Sequence, residues 1–227
     1  MGRPKASEGR DTRQDLLDAA LELFAENGFH GTGLREIAAA AGVREAAIYH
    51  YFVSKEALFE ALITEPPEDA ACFVEQFADE PLPDDLQPMF EKLVTGMLER
   101  ASRIRERKKF RLLMNDGMRL SLEGKISFFD RAGGAARSEL MRLMKRLVVE
   151  GRLVGDPDVL SMAFIAPLMM WRQMLALNSS HRYASDFRGF ARAHASVFLS
   201  GARSRLDDEK LSNRSSKKAS TVRRARS

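Results

Sequence analysis

Two short apolar stripes flank a glycine in the stretch 34–59, LREIAAAAGVREAAIYHYFVSKEALF, and that spacing restricts the fold more than any other feature of the chain. Leu34, Ile37, Ala38 and Ala41 recur at i, i+3, i+4 and i+7, which sets four apolar side chains on one helical face. Gly42 follows, a residue free to take the positive φ that closes a helix. Ile48 and Phe52 then stand one turn apart and share a second inward face. Ala46 and His50 point away from that pair, with Ala47 and Tyr49 on the flanks. Two small residues and two aromatic hydrogen-bonding groups make a poor core. They suit a second helix that enters a DNA major groove, as in a helix–turn–helix.

The flanking sequence supplies a small helical domain around this stretch. Thr12 and Asp15 have the spacing of a capping box, and Leu16, Ala20, Leu23 and Phe24 form one stripe until Asn27-Gly28 interrupts it. Ser54 caps a further helix carrying Leu58, Phe59 and Leu62, which Glu65-Pro66-Pro67 stops. Residues 12–64 thus read as a helix–turn–helix domain of three or four helices. Beyond Pro67 the periodicity predicts helices near 68–79, 84–101, 103–123, 135–151, 157–178 and 184–205. Asp156-Pro157 is an N-cap followed by proline at the first helical position. No run alternates with period two, so the expected class is all-α, with a larger C-terminal helical domain over 68–206.

Two helices of that larger domain are unusually apolar. Between Val159 and Leu177 only Ser161, Arg172 and Gln173 are polar, so the helix must be covered on more than one side. Phe187, Phe190, His194, Val197, Phe198 and Gly201 form a continuous stripe on the next, where Ala191, Ala193 and Ala195 permit close approach. Packing of both helices against their own copies about a two-fold axis gives a homodimer; internal helices of a monomer are the alternative.

Charge is concentrated at the ends. Residues 1–11 read as a flexible basic arm, with Arg3, Pro4 and Lys5 placed to reach a minor groove. Residues 207–227 read as a disordered basic tail, and from Lys210 onward they hold seven basic residues and no acid. The formal charge of the whole chain is +4, so the remainder is net acidic and pI alone says little about nucleic acid. The one cysteine, Cys72, excludes an intramolecular disulfide and reads as a buried thiol beside Phe73. The longest unbroken apolar run, Met162–Trp171, is about half the ~20 residues of a membrane helix, and no apolar signal core opens the chain. The expected location is cytoplasmic.

The segment Gly28–Phe59 resembles the DNA-binding domain of the TetR-like bacterial transcriptional repressors. Gly28-Phe29, Thr32, Ile37-Ala38, Ala41-Gly42-Val43, Tyr49-His50-Tyr51-Phe52 and Ser54-Lys55-Glu56-Ala57-Leu58 carry the likeness. The resemblance implies a homodimer that binds a double-stranded DNA operator and leaves it when a small molecule binds the C-terminal domain. It implies that Thr32, Tyr49 and Lys55 hold phosphates while Arg35, Glu45, Ala46, Ala47 and His50 approach bases. Arg35 suits a guanine edge, and the alanine methyls suit a thymine methyl. Gly33 and Arg44 stand where family members often have Ser or Thr caps, so the second helix is expected to start late or fray. Glu45 either favours the helix dipole or accepts from a cytosine amino group.

Enzymatic readings find little support. The chain has no GxxxxGK[ST], GxSxG, CxxC or HExxH, and its histidines and cysteine form no ligand-spaced cluster, so no cofactor or metal is called for. A DNA-binding regulator or activator that needs no effector is the closer rival. Met114, Met118, Phe128, Met141, Phe164, Met170, Trp171 and Met174 are candidate lining for an apolar or aromatic effector. Packed core explains each of them equally well.

Overall fold

The computed structural model describes residues 12–65, 69–127, 134–177 and 180–202, and every regular element among them is a helix. In chain order these are α1 (Thr12–Gly31), α2 (Leu34–Ala40), α3 (Glu45–Ile48), α4 (Lys55–Thr64), α5 (Ala70–Asp79) and α6 (Leu86–Ser102). They continue with α7 (Ile104–Leu112), a π turn (Leu113–Gly117), α8 (Met118–Leu122) and α9 (Gly134–Val149). The last three are α10 (Pro157–Ala176), α11 (Arg182–Ser185) and α12 (Phe187–Ala202). The Arg3–Lys5 arm, Phe128 and the basic tail lie outside the described residues.

The chain forms two compact units, and their boundary corrects the expected division at residue 68. One unit comprises Met1–Glu65 with Ile104–Gly134; the other comprises Pro66–Arg103 with Ala135–Ser227. Helix α7 therefore packs with α1 and α4 in the first unit. Its sequence, IRERKKFRL, reads as a solvated charged face, yet Phe110 and Leu112 are buried. So are Glu106 and Lys109, which neutralise each other at 3.1 Å while Lys109 also donates to the Glu65 carbonyl. Pairing is what allows two charges to be buried there.

The core of the first unit has the stripes of its sequence at its centre. Leu16, Leu17, Ala20, Leu21 and Phe24 of α1 meet Ile37 and Ala38 of α2, Ile48 of α3, and Leu58, Phe59 and Leu62 of α4. Phe24, Phe29 and Phe59 form a ring cluster with centroids 5.1–5.7 Å apart, two of the three pairs edge-on. Edge-on aromatic contacts add about 0.5–1.5 kcal/mol per pair to the burial itself. Ser54 accepts from the Ala57 amide at 3.1 Å and starts α4 as its sequence position indicates.

The second unit encloses an aromatic core between α6, α10 and α12. Phe90, Phe164 and Phe198 lie with centroids 5.2–5.5 Å apart. His194, buried on α12, places Nε2 2.9 Å from the Phe164 carbonyl, which the Nε2–H tautomer satisfies. Ala191 and Ala195 on the same helix are fully buried, as close helix approach requires. On α5, Val74, Phe77 and Ala78 take the inward face, so Cys72 is exposed rather than buried. Phe73 rests on the backbone of Gly96, where an added Cβ would come within 2.1 Å of its ring. Asp156 accepts from the amides of Asp158 and Val159 at 2.9 and 3.1 Å and starts α10.

Helix α10 divides sharply into two faces. Leu160, Phe164, Leu168 and Trp171 are buried, whereas Val159, Met162 and Met170 are 62%, 69% and 59% exposed. By length and composition this helix, with mean hydropathy 1.4, is apolar enough to cross a membrane, although its inner face is built into the core.

Candidate nucleic-acid interface

Backbone chemistry sets the corner between α2 and α3. Gly42 takes φ 71°, and the amides of Gly42 and Val43 donate to the carbonyls of Ala39 and Ala38 at 3.1 and 2.9 Å. That pair of bonds is a Schellman motif, which closes α2 and redirects the chain. Nothing lies within 4 Å of a Cβ built on Gly42, so the backbone conformation and not crowding demands glycine. At the other end of α2, the Gly33 amide donates to Glu36 Oε2 at 2.8 Å. This is half of a capping box, because glycine has no side chain to return the bond.

Helix α3 is a single turn. Arg44 occupies its N-cap in extended conformation and forms no side-chain cap, yet the helix starts at once at Glu45 and not late as expected. After Ile48 the chain tightens, with His50 and Tyr51 amides donating three residues back at 3.3 and 2.9 Å. What holds this short element is its inward side: Ile48 is 0% and Phe52 4% exposed.

On the outward side, Arg35, Glu45, Ala46, Tyr49 and His50 are exposed and Ala47 is half-buried. The structure thus brings six of the sequence-selected positions onto the α2–α3 surface of one unit. Tyr51 and Val53, at 46% and 86% exposure, extend that surface and were not selected. A large side chain left in water just after α3 is the signal that marks them. The surface is not strongly basic, since Arg35 and Arg44 are matched by Glu36 and Glu45.

Thr32 and Lys55 require correction. The Thr32 side chain is buried, and its hydroxyl lies 3.1 and 3.0 Å from the carbonyls of Leu23 and Gly28. It has no surface to offer a phosphate. Lys55 donates to the carbonyls of Phe29 and Thr32 at 2.9 and 3.0 Å, and its ammonium lies 4.4 Å from the Phe29 ring centroid. Two of its three protons are therefore engaged within the unit. The cause is the break in α1: Gly28 at φ 71°, ψ 171° frees backbone groups that need partners.

The candidate effector residues among those described are divided between the two units. Met114 and Met118 belong to the first unit; Met141, Phe164, Met170, Trp171 and Met174 belong to the second. Phe164 and Trp171 are core side chains, Trp171 donating to the Tyr183 carbonyl at 2.7 Å, while Met170 faces outward. Met141 is half-buried, with its sulfur 3.9 Å from the Ser161 hydroxyl.

Residues 16–62 match the family model for bacterial regulatory proteins of the tetR family. The HTH-type transcriptional regulator UidR of Escherichia coli K12 is 41% identical over 64 residues, 28% of this chain and 33% of that protein. The chain thus matches about a third of the length of that relative. Solved structures extend the likeness in fold to the greater part of the chain. A TetR-family protein from Mesorhizobium loti superposes with a TM-score of 0.67 at 18% identity, covering 85% of this chain and 97% of that one. The complex of SmeT with triclosan gives 0.62 at 19% identity, covering 87% and 94%. SmeT is described as the repressor of the multidrug efflux pump SmeDEF of Stenotrophomonas maltophilia.

Proposed function

We propose that this chain, TetR-like in its N-terminal domain and in its fold, is a sequence-specific DNA-binding transcriptional repressor. The observation that carries the reading is the α2–α3 surface, where Arg35, Glu45, Ala46, Tyr49 and His50 stand in water above a base locked by Ile37, Ala38, Ile48 and Phe52. Arg35 is placed to give two hydrogen bonds to a guanine, and the Ala46 and Ala47 methyls suit thymine. Tyr49 supplies a phosphate contact. The surface is nearly neutral, so general attraction to phosphate falls to the basic arm and tail.

The chain acts as a homodimer in the cytoplasm. Support comes from α10 and α12, which leave Met162, Met170 and Val197 in water beside an otherwise apolar face. A two-fold axis there presents two α3 helices, which enter successive major grooves when about 34–36 Å apart. A small apolar or aromatic effector releases the operator by favouring a dimer state with the wrong spacing, α4 acting as the lever. The complex of SmeT with triclosan is an instance of a protein of this fold holding a small molecule.

Selection of duplexes from a random library by the full chain tests the reading. Enrichment of a palindromic site, lost on adding an apolar aromatic ligand that also raises Tm, is expected. No enrichment over bulk DNA overturns the DNA-reading function. Enrichment that no ligand relieves favours an effector-independent regulator instead.

A further inference from the structure

The break in α1 is closed by side chains from three positions, two of them distant in sequence. Thr32 comes from the link between α1 and α2 and Lys55 from the start of α4, both serving carbonyl oxygens. Asp116 of the π turn serves the opposite need. Its Oδ2 accepts from the Phe29 amide at 3.2 Å across a separation of 87 residues, while Oδ1 pairs with Arg119 at 3.3 Å. Phe29 is 2% exposed, so its amide, displaced from the α1 ladder by the Gly28 conformation, lies in a residue nearly closed to water.

The geometry of the π turn explains how a residue so far along the chain arrives there. A Cβ on Gly117 would fall 3.0 Å from Leu113 Cδ1 and 3.1 Å from Ile63 Cδ1, so glycine lets this turn lie directly against α4. Asp116, the preceding residue, then faces α1. The wider turn thus sets two contacts at once: Gly117 on α4 and Asp116 on the Phe29 amide. Single π turns recur where a helix must hold such a special orientation.

We propose that Asp116 is a positioning residue for DNA reading. Through the Phe29 amide it fixes the corner at which the chain leaves α1 for α2, and so the presentation of Arg35, Glu45 and His50 on one defined face. The inference rests on the DNA-reading function proposed above. A carboxylate that only stabilised the first unit would change the folded fraction and lower affinity for all DNA alike. One that positions the reading face changes the preference for the selected site over other DNA.

The experiment compares the full-length protein and its variants on two duplexes, one enriched by the wild type and one scrambled with the same composition, well below Tm. Asp116→Ala is expected to lose about tenfold or more on the enriched duplex and less than about twofold on the scrambled one. Asp116→Asn, which keeps an oxygen acceptor, is expected to return to within about threefold of wild type. Amide exchange at Phe29 is expected to quicken in Asp116→Ala and stay slow in Asp116→Asn. Equal losses on both duplexes, or wild-type preference in Asp116→Ala, overturn the inference. Should Asp116→Ala not fold, Asp116→Glu replaces it: the added methylene displaces the acceptor, and undiminished preference there overturns the inference too. A wild-type chain that enriches no duplex refutes DNA reading itself, a different outcome from losing only the role of Asp116.

Discussion

Helices α3 and α10 both expose one face, and the two faces have opposite chemistry. Helix α3 has four residues and a single buried anchor, Ile48; α10 has twenty and buries Leu160, Phe164, Leu168 and Trp171. The outward groups of α3 and the turn after it are a carboxylate, a methyl, a phenol and an imidazole. Water satisfies the polar ones, and a base edge can replace that water bond for bond. Met162 and Met170 on α10 have no bonds to exchange and only apolar area to lose, at roughly 25 cal/mol per Å². Exposure alone therefore does not identify a partner. The chemistry of the exposed groups separates a face suited to polar base edges from one suited to an apolar partner.

The largest expected effect tests whether the inner face of α10 is as firmly anchored as this contrast requires. Phe164→Ala removes a ring that touches Phe90, Phe198 and His194, and should cost about 3–5 kcal/mol in denaturant unfolding. A loss below about 1 kcal/mol would mean the aromatic core is loosely packed. On the outer face, Met162→Glu should leave unfolding of the chain within about 0.5 kcal/mol of wild type. It should weaken self-association by about 2–5 kcal/mol in sedimentation equilibrium. An unchanged dissociation constant would remove α10 from the interface.

Changes on α2 and α3 should be smaller and more local. Arg35→Ala and Glu45→Ala are each expected to cost about 1–3 kcal/mol of discrimination at one base pair per half-site. Binding measured against single-substitution operator variants checks this, and uniform losses across all variants would reduce either residue to a general electrostatic role. The smallest effect concerns His194. Burial holds its pKa below the ordinary value of 6.5, against the hydrogen bond to the Phe164 carbonyl, which acts to raise it. The unfolded chain then takes up a proton that the folded one resists. This contribution is complete above about pH 6.5 and is lost as pH falls below it. Urea midpoints between pH 7.5 and 5 should decline in wild type and decline less in His194→Asn. Equal slopes in the two would show that other groups set the acid dependence.

Much of the first unit was legible because its determinants are local. The Leu34–Ala41 stripe, the left-handed Gly42 and the Ser54 cap each act within about one helical turn, and sequence displays them directly. The Asp156 cap of α10 is equally local. Thr32 and Lys55 were misread because their roles depend on which backbone groups the Gly28 break leaves unpaired, a matter of tertiary position. The position of Gly28 is visible in sequence; the partners that close the break are not. Helix α7 was placed in the wrong unit for a related reason. A buried Glu106–Lys109 pair has the same letters as a solvated one, and only the packing of α1 and α4 distinguishes them. The effector residues show the same limit, since Met and Phe spaced along helices describe core and pocket alike.

Trp171 is the chain's one tryptophan, and it is 2% exposed in the second unit with its indole N–H bound to the Tyr183 carbonyl. Two of the three tyrosines, Tyr49 and Tyr51, stand in water on the first unit. The molecule therefore carries separate optical reporters. Emission excited at the red edge follows the second unit alone, while tyrosine absorbance follows mainly the exposed surface beside α3. Heating or titrating the unlabelled protein would show directly whether its two units melt, or respond to a ligand, together or one after the other.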